Sequence, residues 1–260
     1  MSPSSKVLLL RVAGIVTALL FSLVCGGVFI SLVGKDPVHI YWRMMSESLG
    51  NSYGIGQICF KATTLIFSGL SVAVCFRAGF FNIGGEGQMM MGGLVMSVVG
   101  FSVRGLPPFL HIPLCVMAGM AGGAAWGSIP GFLKARFGAS EVINTIMLNF
   151  IAAALISYLV NSVFSVPATV HTPPIQDSAE IPRLGGFLST FTGSPINLSF
   201  GLAILSCVVV HYIVSSTRLG YDIRAIGLNP IASKYAGINV AFTIVSVTAL
   251  AGGLAALGGA

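Results

Sequence analysis

The chain is 260 residues long, 55% hydrophobic and only 8% charged, with a mean hydropathy of +0.94 and a formal net charge of +6. Soluble domains carry about a quarter charged residues, so a soluble enzyme is excluded as the bulk of the chain, and one polytopic membrane domain is indicated. The basic excess falls in loops beside apolar runs, as the positive-inside bias expects, and not in a patch that would bind nucleic acid.

The first apolar run extends to about Val33 behind Lys6 and Arg11. It is too long for a signal-peptide core and lacks a small-x-small cleavage site, which predicts a retained helix. Spans of about 20 apolar residues are predicted at 12–33, 55–76, 84–103, 109–133, 142–162, 198–216 and 240–260. The expected fold is all-α: a polytopic helical bundle of about seven helices, with 1–260 a single transmembrane domain. Lys61 lies about two turns into the second span, close enough to its end to snorkel.

With the N-terminus inside, the inner face holds Lys6, Arg11, Arg77, Lys134, Arg136, Arg218, Arg224 and Lys234, eight in all, against Lys35, Arg43, Arg104 and Arg183, four in all, outside. That asymmetry sets the N-terminus and the loop 217–239 in the cytoplasm. The outer loop 163–197 is the longest connection, rich in proline (Pro167, Pro173, Pro174, Pro182, Pro195), and is expected as a partly ordered cap, not a second domain. The last run, LAGGLAALGGA, is still apolar at Ala260, which reads as a piece of a longer membrane domain.

Enzymatic and metal chemistry find little support. There is no Walker A sequence, no GxGxxG after a strand and no HExxH. The histidines His39, His111, His171 and His211 are isolated. The five cysteines are odd in number, irregularly spaced and without a CxxC pair, so they read as small core residues. In the fourth span Gly119, Gly123, Gly127 and Gly131 form one i, i+4 row, the spacing that lets another helix approach the backbone closely.

Three polar constellations remain. FRAGFFNIGGEGQMMMGG, Phe76 to Gly93, sets Arg77, Asn82, Glu86 and Gln88 among glycines between two apolar runs. Gly84 and Gly85 favour a helix break, Asn82 is placed to cap the helix that follows, and Glu86 falls in its first turn, where the helix dipole favours a negative charge. Such groups are costly in a membrane unless partnered. Asn82, Glu86 and Gln88 therefore line a path or form a structural network, and spacing alone leaves both open. In GASEVINTIMLNF, Ser140 is placed as N-cap, and Glu141, Thr145 and Asn149 follow an i, i+4 row with Asn144 beside it and Ser157 and Asn161 continuing it. A polar stripe on a spanning helix faces protein or water, so it either lines a path or bonds to another helix. In the loop 217–239, Asn229 at N-cap, Pro230 at N1 and Gly237 just past the end mark a short helix over 230–236 that displays Lys234 and Tyr235. A capped helix between two spans suggests a docking surface for a cytoplasmic partner.

Together these segments resemble the permease subunits of ATP-binding-cassette importers, in the branched-chain amino acid, simple sugar and nucleoside permease family and especially its nucleoside branch. FRAGFFNIGGEGQ resembles that branch's FRAGLFNIGAEGQ, GASEVINTIMLNF its GASEVITTIMLNY, HTPPIQDSAEIPRL its TP…SA…P outer segment, and RAIGLNPIASKYAGINV its RAVGLNPEAARYAGINV. Departures are Asn144 for Thr, Phe150 for Tyr, and Ile231, Ser233 and Lys234 for Glu, Ala and Arg.

The resemblance implies a bacterial inner-membrane subunit that pairs with a second permease, as a homo- or heterodimer in membrane lipid. Cytoplasmic ATPases that bind the ATP would drive it, and an extracytoplasmic binding protein or lipoprotein would deliver a nucleoside. It implies no cofactor in this chain. The stretch Arg224 to Gly237, with Gly227, Asn229, Pro230, Ala232, Lys234 and Tyr235, would be the coupling helix seated in the ATPase. A sugar or branched-chain amino acid permease, or a self-sufficient secondary transporter or channel, are the alternatives.

Overall fold

Backbone N–H and C=O groups must be satisfied internally within lipid, so long apolar runs become helices. The computed structural model of the chain describes residues 3–166, 169, 171–186, 191 and 193–259; Pro167 and Ala260 lie outside the described residues. Among the described residues it contains ten α-helices and one isolated β-bridge, Arg183 with Asn197. The helices are α1 Pro3–Leu32, α2 Pro37–Leu49, α3 Ser52–Arg77, α4 Gly85–Ser102, α5 Pro108–Phe137, α6 Glu141–Tyr158, α7 Ser199–Ser216, α8 Arg218–Leu228, α9 Pro230–Tyr235 and α10 Val240–Leu257. A π-helical turn, Leu159–Val163, prolongs α6.

Among the described residues, six helical stretches are long and apolar enough to cross a membrane: Ala13–Leu32, Ser52–Arg77, Pro108–Phe137, Glu141–Val163, Ser199–Ser216 and Val240–Leu257. They match six of the seven expected spans. The seventh, expected at 84–103, forms as α4, but Glu86, Gln88 and its glycines hold its hydropathy down and it is not among the six. α2 and α8 were not expected, which raises the count above seven. Each begins at a capped end: Asp36 Oδ1 accepts the Val38 N–H at 3.0 Å before Pro37, and Thr217 Oγ1 accepts the Gly220 N–H at 3.1 Å.

The chain divides into two compact units, Met1–Ile58 and Cys59–Ala260. In the first, α2 folds back along α1: the Tyr41 hydroxyl donates to the Leu23 carbonyl at 2.8 Å, and Pro37 and Tyr41 lie over Gly26 and Gly27.

In the second unit α10 is the central helix. Ala251 to Leu257 are all buried, and α10 packs chiefly on α5, which also packs on α4. The glycine row of α5 faces these contacts. A methyl group on Gly127 would come within 2.5 Å of the Thr248 carbonyl, and one on Gly119 within 2.5 Å of Met96 Cε. One on Gly123 would strike the Gly252 carbonyl, and one on Gly131 the Thr248 hydroxyl. Two apolar clusters complete the core. Phe67, Ala203 and Leu257 join α3, α7 and α10, while Val74, Cys75, Ala78, Phe80, Ile223, Ile226, Val247 and Ala251 join the end of α3 and the residues after it to α8 and α10.

The described residues of the loop 163–197 include the short 3-10 turns Asp177–Ala179 and Leu184–Gly186. Hydrogen bonds tie it to the bundle: the Gln176 N–H donates to the Gly100 carbonyl at 3.0 Å, and buried His111 Nδ1 lies 2.8 Å from Ser178 Oγ.

Candidate functional site

The polar residues of the first two constellations meet at the start of α4. The chain leaves α3 at Arg77, turns at Gly79 (φ +69°) and runs without helix to Gly84. Asn82 and Gln88, both buried, form a reciprocal amide pair: each side-chain NH₂ donates to the other's carbonyl oxygen at 3.1 Å. Asn82 Oδ1 also accepts the Gly84 N–H at 3.0 Å.

The expected cap from Asn82 is therefore corrected. Gly84 holds the N-cap position of α4 and offers no side chain. Asn149 of α6, 62 residues away in sequence, supplies the missing acceptor: the Gly87 N–H donates to Asn149 Oδ1 at 2.9 Å, and Asn149 Nδ2 donates to the Ile83 carbonyl at 3.1 Å. One amide thus closes an orphan N–H in the first turn of α4 and a carbonyl of the segment before it. Gly87 permits this approach, since a methyl group there would press on Asn149 and Ala152. Nothing in local spacing signals this bond; only the shared polarity of the two segments does.

The stripe on α6 divides. Thr145 is fully buried beside Gly84, its hydroxyl donating to the Glu141 carbonyl at 2.7 Å. Asn144 Nδ2 is buried with no hydrogen-bond partner among the described residues. Glu141 is paired with Lys134 at 2.5 Å across the αα turn at Gly138 (φ +66°). Ser140 occupies the N-cap position, but its hydroxyl makes no capping bond, contrary to expectation. Ser157 and Asn161 do not extend the stripe onto another helix: both are exposed and bonded to each other, where the π-helical turn alters the register. Glu86, in the first turn of α4, is exposed.

The third constellation forms a separate surface. α9 runs Pro230–Tyr235, one residue shorter than expected, with Asn229 Oδ1 accepting the N–H groups of Ile231 and Ala232 at 3.0 Å and Gly237 at φ +85° just beyond it. Leu228, Ile231 and Tyr235 are 88, 71 and 90% exposed, and Ala232 and Lys234 are exposed with them. Arg224 and Gly227, on α8, are placed otherwise. Arg224 turns inward and donates to the Val214 carbonyl of α7. Gly227 packs its backbone on Arg77 and Gly79.

The family described as branched-chain amino acid transport system / permease component matches residues 54–260. The chain is 36% identical over 246 residues to the nucleoside ABC transporter permease protein NupB of Lactococcus lactis subsp. cremoris, covering 93% of this chain and 68% of that protein. It is 36% identical over 247 residues to the guanosine ABC transporter permease protein NupP of Bacillus subtilis, covering 94% and 69%. It is 33% identical over 251 residues to the glucose ABC transporter permease protein TsgB13 of Haloferax volcanii, covering 94% and 66%. The chain thus spans about two thirds of the length of these relatives. No solved structure matches it.

Proposed function

The chain belongs to the branched-chain amino acid transport permease family, and from that premise we propose that it is the permease subunit of an ABC importer that forms the path for nucleoside uptake. The family is one of multi-pass transporter permeases, not of enzymes, and ABC permeases work with ATPase and substrate-binding protein partners. The observation that carries the assignment to this machinery is the surface of α9. Ile231 and Tyr235 stand exposed on a capped helix outside the six candidate spans, and Leu228, the last residue of α8, stands exposed just before it in the chain. Large apolar side chains exposed at i and i+4 of a capped helix, with a third just before it, mark a protein contact, and a groove in a cytoplasmic ATPase is the occupant this role requires. Lys234 lies at the rim of that contact.

On this reading the subunit sits in a bacterial inner membrane with its N-terminus inside, pairs with a second permease, and receives solute from an extracytoplasmic binding protein. Asn82, Gln88, Thr145 and Asn149 hold the break before α4, since their polar atoms are already bonded within the chain. Glu86 and Asn144 keep hydrogen-bonding capacity for solute: a carboxylate beside lipid is costly, so Glu86 faces water or the second permease. Ribose hydroxyls and base amides are suitable partners for both.

Reconstitution with its ATPase, partner permease and binding protein tests the reading. ATP-dependent uptake is expected for nucleosides, with Ile231→Asp abolishing it by releasing the ATPase. Uptake of glucose in preference to nucleosides would instead favour the sugar reading, for which the likeness to a glucose permease is the reason. Solute movement without any ATPase would overturn the assignment.

A further inference from the structure

We propose that the segment from Arg77 to Gln88 is the joint that passes motion from the α8–α9 surface to α4 and α6, seated by Gly227 and latched by Asn149. This rests on the permease reading above. Three observations converge on one segment. At its start the contact with α8 is backbone on backbone: a methyl group on Gly227 would strike the Arg77 carbonyl, and one on Gly79 would lie 3.4 Å from Gly227 Cα. In its middle, Ala78 and Phe80 are buried in the same apolar cluster as Ile223 and Ile226 of α8. At its end, the Asn82–Gln88 pair and the two bonds of Asn149 fasten it to α4 and α6.

A displacement of α8 therefore meets the backbone and the buried side chains of the segment directly. The glycine contact leaves no side chain between the two backbones to bend or change rotamer, and packed interfaces shift between discrete arrangements more readily than they deform. Residues 78–84 of the segment are the non-helical stretch between α3 and α4, so they can change their backbone angles without breaking a spanning helix. Asn149 couples that change to α6, because its amide holds both a carbonyl of the non-helical stretch, that of Ile83, and the first turn of α4. Gly227 and Asn149 are thus positioning residues, acting on transport through the segment and not by touching solute.

The test is the number of solute molecules moved per ATP hydrolysed by the complete reconstituted complex, with assembly checked by co-purification. Gly227→Ala and Asn149→Asp are each expected to lower that ratio about two- to thirtyfold, while ATP hydrolysis by the assembled complex continues. The double variant is expected to be no worse than the poorer single one, since both act on one joint. Asn149→Asp keeps the acceptor for the Gly87 N–H and loses the donor to Ile83, so it decides the matter if Gly227→Ala fails to assemble. A wild-type ratio in Asn149→Asp, or losses that multiply in the double variant, would overturn the proposal. Failure of the wild-type complex to take up nucleosides with ATP would count against the nucleoside assignment instead, because the ratio can be read with any solute the complex carries.

Discussion

At the scale of single residues, this protein uses absent side chains as much as present ones. Gly127 is the clearest case, because the space where its Cβ would sit is taken by the Thr248 carbonyl and the Gly252 backbone of α10. Carbonyl atoms of a helix cannot swing aside, so Gly127→Ala is expected to push α5 from α10 and to destabilise the protein by about 1–3 kcal/mol, as overpacking does. Gly69→Ala is the control: it sits in a helix with nothing near the added methyl, and there alanine favours the helix over glycine. Thermal unfolding in one detergent should lower the midpoint of the first variant and leave the second unchanged or raised. Equal midpoints would mean that the α5–α10 contact does not limit stability. The row at 119, 123, 127 and 131 was readable in the sequence because small residues at i, i+4 have one common use. The role of Asn149 was only half readable. Its polarity in a span announced a partner, but the partner is a backbone pair 62 to 66 residues away, which no local pattern encodes.

At the scale of helices, those with strong local signals were legible and those that depend on neighbours were not. Six spans follow from apolar length alone. α9 follows from Asn229, Pro230 and Gly237, whose backbone preferences fix both ends of a helix of six residues. α8 was missed because RLGYDIRAIGL carries two glycines and mixed charge; it forms because Ile223 and Ile226 find a buried cluster to enter. A helix as short as α9 cannot nucleate cheaply, so its cap matters more than in a longer one. Asn229→Ala removes the acceptor for two N–H groups and is expected to cost about 1 kcal/mol. If α9 must be helical to seat in an ATPase, this appears as roughly fivefold weaker ATPase binding, measured by titrating the purified ATPase onto the reconstituted permease. Asn229→Asp, which keeps the accepting oxygen, should restore binding. Unchanged affinity in Asn229→Ala would mean that the ATPase itself imposes the helix.

At the scale of the whole permease unit, the contacts of α4 constrain its sidedness. The first turn of α4 is fastened to the segment that touches α8, and Gly100 near its other end accepts the Gln176 N–H from the loop 163–197. α4 has 18 residues, so it rises about 27 Å, nearly the thickness of the hydrocarbon core. It therefore separates the α8–α9 surface from that loop by a membrane's width, although its own composition is too polar to announce a span. α5, α6 and α10 pack against it, and Gln88 is covered by that packing, which is why hydropathy alone undervalues it. The basic residues bear on which side is which: on the proposed orientation the side with eight of them, which carries α8 and α9, is the cytoplasmic one.

Single cysteines at Lys234 and Asp177, in a background with the five native cysteines replaced, test this with a membrane-impermeant maleimide. Lys234→Cys is expected to react only in inside-out vesicles, and Asp177→Cys only in right-side-out ones. Reaction of both from the same side would remove α4 as a crossing helix. Reaction of each from the opposite side would keep α4 and invert the orientation, placing α9 where no ATPase could reach it.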